Sequence, residues 1–119
     1  MKIKTADLTA LQLDYLITSI EVPKGIEYGV KDWREQRNYT IKHGEYVYRW
    51  STSWNQGGLI VDRERIDIEH DLCSTEVVAR KYLRDEYAEQ WGPTALIAAM
   101  RCFVASKLGD EVDIPEEPA

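Results

Sequence analysis

The apolar positions of residues 93–108 carry the clearest pattern in the chain. Leu96, Met100 and Phe103 follow i, i+4, i+7, while Ile97, Met100, Val104 and Leu108 follow i, i+3, i+7, i+11. Together they cover an arc wider than that of a surface helix, which predicts a largely buried one. Its start is read at Pro93 with Gly92 near the N-cap, because proline's missing N–H is no loss in a first turn. Lys107 suits the negative end of the helix dipole, and Gly109 suits the position just past it. A second helix is expected at 10–20. Thr9 and Gln12 match a capping box, Leu8 and Leu13 form a hydrophobic staple, and Leu13, Leu16, Ile17 and Ile20 share a face.

Strand signals are shorter. Residues 2–4 read as one. Between 22 and 44 no period holds, and Pro23, Gly25, Gly29 and Gly44 punctuate a loop with short strands near 26–30 and 39–42. His43-Gly44 then turns a hairpin into the next run. From Glu45 to Trp50 the chain alternates, with Tyr46, Tyr48 and Trp50 on one strand face and Val47 and Arg49 on the other. Residues 51–58 read as a polar loop, and Leu59, Ile60 and Val61 as a new strand. Ile66 and Ile68 have the opposite parity, so a bulge or turn is expected at 63–65. Ser74 or Thr75 would cap a helix over 75–90, with Val78, Tyr82, Leu83, Tyr87 and Trp91 toward one side. Val112 and Ile114 suggest an edge strand, and the acidic residues 115–119 a flexible tail. The expected fold is α+β: a small antiparallel sheet packed by about three helices (10–20, 75–90, 93–108), forming one domain over 1–114.

Charge and cysteines narrow the function classes. A formal net charge of −6 in 119 residues argues against general DNA or RNA backbone binding. The longest apolar run, 95–105, is too short to span a membrane and contains Arg101. Cys73 and Cys102 are far apart, and Cys102 falls in the apolar helix, so a buried free thiol and a reducing cytoplasm are expected.

No nucleophile elbow, Walker loop or dinucleotide glycine fingerprint is present, so no catalytic residue and no cofactor is assigned. Asp67, Glu69, His70, Asp71 and Cys73 crowd together, either as metal ligands or as the polar side of a strand end, and no metal site is assigned. Seven aromatic residues fall between positions 28 and 54. Trp50 shares the face of Tyr46 and Tyr48, which packs in the core or lines a site. Trp54 either folds back on the sheet or stacks on a planar ligand; Gly57 and Gly58 would let that ligand approach, and Asn55 and Gln56 could read its hydrogen-bonding edge. Arg101 lies on the small-residue strip of Thr94, Ala98 and Ala105. It either caps or pairs with a carboxylate across a helix contact, or joins Thr94 and the first-turn N–H groups in an anion site. The rise between Thr94 and Arg101, about 10 Å, would require a long ligand or a bent arginine.

Three blocks resemble the NinX family of bacteriophage and prophage proteins, whose function is unknown. They are KTADLTALQLDYLI (4–17), STSWNQGGLIVDRERIDI (51–68) and WGPTALIAAMRCFVASKLGDEVDIP (91–115), the last being the most specific. Ala95 and Leu59 stand where family members commonly have proline. The resemblance implies a phage accessory protein working in the host cytoplasm and implies no activity. Its blocks contain the Trp54 loop, Thr94 and Arg101. The expected function is a non-enzymatic binder of a small anionic, nucleotide-like ligand at Trp50, Trp54, Asn55, Gln56, Gly57, Gly58, Thr94 and Arg101, with a homo-oligomer as one way of closing the pocket. The alternatives are an adaptor or inhibitor that binds a host protein, and a small metal-dependent enzyme using the 67–73 group.

Overall fold

A computed structural model describes residues 1–22, 27–28, 41–43 and 46–116. Strand β1 (Lys2–Lys4) passes through a 3-10 turn at Thr5–Asp7 into helix α1 (Ala10–Glu21). Both halves of the capping box form: the Gln12 N–H donates to Thr9 Oγ1 at 3.3 Å, and the Thr9 N–H to Gln12 Oε1 at 3.0 Å. Strands β2 (Glu27–Tyr28), β3 (Ile41–His43) and β4 (Tyr46–Tyr48) form an antiparallel ladder in which His43 faces Tyr46. These occupy the expected strand positions. Trp33, Tyr39, the Gly44 turn and tail residues 117–119 lie outside the described residues.

The next segment corrects the sequence reading. Residues 51–58 are not a loop leading to a strand at 59–61, because helix α2 runs Trp54–Glu64. Two glycines weaken a helix by about 1 kcal/mol each, which made the stretch read as a turn. Gly57 is there for packing: a Cβ on it would sit 2.0 Å from the Trp50 carbonyl oxygen and 2.8 Å from Leu96 Cδ1. Gly57 and Ile60 are buried while Leu59 faces water, as a helical i, i+3 face requires. Arg65 ends α2 in the left-handed conformation (φ 53°, ψ 51°), which supplies the break expected at 63–65.

Strands β5 (Asp67–His70), β6 (Val77–Tyr82) and β7 (Tyr87–Gly92) form an antiparallel sheet in chain order. The helix expected over 75–90 is therefore a hairpin. A spacing of four, as from Val78 to Tyr82 and from Tyr87 to Trp91, fits one helical turn and equally two strand pleats. The β-branched pair Val77-Val78 favours the pleat, and the Leu83 N–H donates to the Glu86 carbonyl across the turn at 2.7 Å. The α+β class holds, with three helices among the described residues; the middle one is α2.

Helix α3 (Ala95–Leu108) is followed by strand β8 (Glu111–Asp113), which pairs antiparallel with β1. The cap is Thr94 rather than Gly92, its Oγ1 accepting the Ile97 N–H at 3.1 Å. Gly92 instead closes β7, where a Cβ would meet the Ala98 nitrogen at 2.7 Å. Pro93 is thus just outside the helix. Leu96, Met100, Phe103 and Val104 are buried, in one cluster with Leu13 and Ile17 of α1, Ile60 of α2 and Val77 and Ala79 of β6. Cys102 is a buried free thiol. At the far end of α2, Glu64 meets Lys81 and Lys107 at 3.3 Å each, linking α2 to β6 and α3.

The adjacent glycines of α2 should respond with opposite signs. Gly57→Ala drives a methyl into a backbone carbonyl and should cost at least ~3 kcal/mol. Gly58→Ala makes only an ordinary contact with Trp54 Cε3 at 3.4 Å. It should gain ~0.5–1 kcal/mol, because alanine loses less backbone entropy in a helix. Urea unfolding of both variants checks the pair.

Candidate ligand site at the start of the third helix

The segment entering α2 is held by α1. The Trp50 indole N–H donates to Thr18 Oγ1 at 3.0 Å, and the ring stacks on Tyr48 at 5.2 Å between centroids. The Ser51 N–H donates to Asp14 Oδ1 at 2.9 Å, and the Ser51 hydroxyl reaches the same oxygen at 2.8 Å. Gln56 Oε1 accepts the Arg49 N–H at 2.6 Å, tying the first turn of α2 back to its approach. Trp54 then stands at the helix start with 54% of its surface exposed.

Trp54 shares a hollow of about 230 Å³ with Ser51, Thr52 and residues 94–97 of the α3 cap and first turn. Two of the suspected residues, Trp54 and Thr94, therefore meet. Arg101 does not line the hollow. Its Nη2 and Nε donate to the Leu8 carbonyl at 2.9 and 3.3 Å, and its Nη1 to the Trp91 carbonyl at 2.8 Å. Burial pushes its pKa below the ordinary arginine value, and the charges of Asp7 and Glu76 act the other way. Trp50, Asn55, Gln56, Gly57 and Gly58 also lie outside the lining. Trp50 and Gln56 hold the approach segment, Gly57 is packed under the Trp50 carbonyl, Gly58 backs the Trp54 ring, and Asn55 is exposed on α2.

Asp14 was not singled out by the sequence reading. It is fully buried, and its Oδ2 has no hydrogen-bond partner among the described residues. Burial pushes its pKa up to about 7, against the opposing effects of the Ser51 hydrogen bonds and the Arg49 charge. A signal existed: Leu11, Asp14 and Thr18 follow i, i+3, i+7 and are all buried, so the carboxylate sits on an inward face. The 67–73 group does not converge. Asp67 and Glu69 alternate with His70 along β5, and no three His, Cys, Asp or Glu side chains among the described residues come together as a metal site. Cys73 is exposed, its N–H donating to Asp71 Oδ1 at 2.9 Å.

The fold and site define an α+β protein with an uncharged cleft where a tryptophan faces a helix N-terminus. The chain belongs to the NinX family of bacteriophage proteins: the family model described as Bacteriophage P22, NinX matches residues 4–107, nearly the whole chain. No curated protein matches it. Among the described residues no helix is long and apolar enough to cross a membrane.

Two outcomes follow from the buried groups. The Asp14 pKa rises on folding from 3.8 to about 7, so the folded state binds the extra proton between those values. The associated stability is fully present below pH 3.8 and is lost as pH rises through about 7. At about 1.4 kcal/mol per pH unit the loss is about 4 kcal/mol. Asp14→Asn keeps an acceptor for Ser51 and should remove this component from urea melts taken across that pH range. Arg101→Met strips donors from two carbonyls and should cost about 1–3 kcal/mol in the same melts.

Proposed function

We propose that this phage accessory protein binds a small planar ligand, nucleotide-like and carrying negative charge, in the cleft between Trp54 and the start of α3, without catalysis. The observation carrying this reading is the single hollow shared by the half-exposed Trp54 ring and the first turn of a 14-residue helix. The ring offers a stacking surface. Thr94 already takes the Ile97 N–H, and the Ala98 N–H bonds the Thr94 carbonyl. The N–H groups of Ala95 and Leu96 have no acceptor within the helix and sit at the positive end of its dipole, where an anionic group is stabilised.

Arg101 drops out of the reading, which narrows the ligand. With no charged residue in the lining, α3 alone takes the negative group. The volume is below the roughly 300 Å³ at which drug-sized pockets begin. It suits a ring and one anionic substituent, the remainder of the molecule lying over the exposed rim.

Isothermal titration against nucleotides and cyclic nucleotides should find a binder whose affinity falls at least ~10-fold in Trp54→Ala, since a base–aromatic stack contributes about 1–3 kcal/mol. Arg101→Met should leave that affinity unchanged. Absence of binding across the panel, or binding indifferent to Trp54→Ala, would refute the proposal.

A further inference from the structure

The outer face of the β5–β6–β7 sheet carries features the ligand cleft does not use. The strand register sets Glu69, Val78 and Trp91 in one row and Asp67, Arg80 and Glu89 in the next. A hollow of about 440 Å³ lies over Val78, with Trp91, Arg80, Glu69 and Leu72 around it. Leu72 is 99% exposed and Trp91 38%. The exposed rings of Tyr82 and Tyr87, 5.8 Å apart, extend the aromatic surface to the hairpin end. A solvated sheet face is ordinarily polar, so exposed apolar groups in this number mark an interaction surface.

The surrounding charge identifies the kind of partner. Residues 67–91 hold seven carboxylates against three cations. Of those cations, Lys81 turns away to Glu64, and Arg80 is already matched by Glu89 at 2.7 Å and Glu69 at 2.9 Å. Strand β5 is at the sheet edge and pairs only with β6 among the described residues, leaving its outer backbone groups open to another strand.

We propose that this face docks an extended basic segment of a partner protein, laid beside β5, with a lysine or arginine side chain reaching over Glu69 into the hollow above Val78, of which the Trp91 ring forms the far wall. Strand addition supplies main-chain hydrogen bonds, the carboxylates select positive charge, and the indole face holds the cation. Nucleic acid and a second copy of this acidic chain are both disfavoured by like charge.

The test is fluorescence anisotropy of a dye-labelled peptide of alternating lysine and threonine on the full chain, with an alternating glutamate and threonine peptide as its counterpart. The lysine peptide should bind and the glutamate peptide should not. Trp91→Ala and Glu69→Lys should each weaken binding about five-fold or more. Trp54→Ala should leave it unchanged, separating this face from the ligand cleft. Glu69 is exposed, so its charge reversal serves even where Trp91→Ala fails to fold. Equal binding of the two peptides, or lysine-peptide binding unaffected by Glu69→Lys, overturns the proposal. So does sedimentation showing a dimer that Trp91→Ala dissociates, which would assign the face to a second copy.

Discussion

Residues 49–53 are clamped from two sides, and the candidate site depends on that clamp. On one side α1 receives the Trp50 indole at Thr18 and the Ser51 amide and hydroxyl at Asp14. On the other, α2 presses Gly57 against the Trp50 carbonyl, at a distance no side chain would allow. Gln56 closes the ring by accepting the Arg49 N–H. The clamp fixes Ser51 and Thr52 as one wall of the cleft and sets where Trp54 emerges. It is built around an awkward group, a buried carboxylate with one oxygen unpartnered among the described residues. Desolvation opposes its ionisation and two Ser51 hydrogen bonds favour it; the raised pKa shows that desolvation prevails.

This arrangement explains what could and could not be read from the chain. Helices α1 and α3 were legible because each is bounded by local chemistry: the Thr9–Gln12 box, Thr94 at the start and Gly109 at the end. Even there the Gly92-Pro93 pair misled by two residues, since Gly92 serves a close approach to Ala98 rather than a cap. Helix α2 was illegible for a tertiary reason. Its glycines weaken the helix locally, and the contact that requires Gly57 comes from Trp50, seven residues upstream. The β6–β7 hairpin was misread because the spacing of four within each pair, Val78–Tyr82 and Tyr87–Trp91, fits one helical turn as well as two pleats; only the strand register puts all four on one face.

The candidate site was legible in part. Trp54 stood out as a large ring among polar residues and glycines, and Thr94 as a hydroxyl before an apolar run; both line one cleft. Asn55, Gln56, Gly57 and Gly58 were expected in it for their proximity to Trp54 in the sequence. A helix sends consecutive residues in different directions, so Asn55, Gln56, Gly57 and Gly58 are dispersed to solvent, to the clamp and to the core. A loop would have allowed the cluster that was expected; a helix does not.

Arg101 illustrates how a charged residue on an apolar helix can serve structure. Its guanidinium gathers two main-chain carbonyls, Leu8 at the entry to α1 and Trp91 near the end of β7. An unpaired carbonyl there would be costly wherever water is excluded, and a planar fork with several donors can satisfy two at once. The same contact joins the two surfaces. Trp91 contributes to the lining of the sheet-face hollow and its carbonyl to Arg101, and only Gly92 and Pro93 separate it from Thr94 at the Trp54 cleft. Arg101 therefore lines neither surface; its donors satisfy main-chain carbonyls where the entry to α1 meets the end of β7.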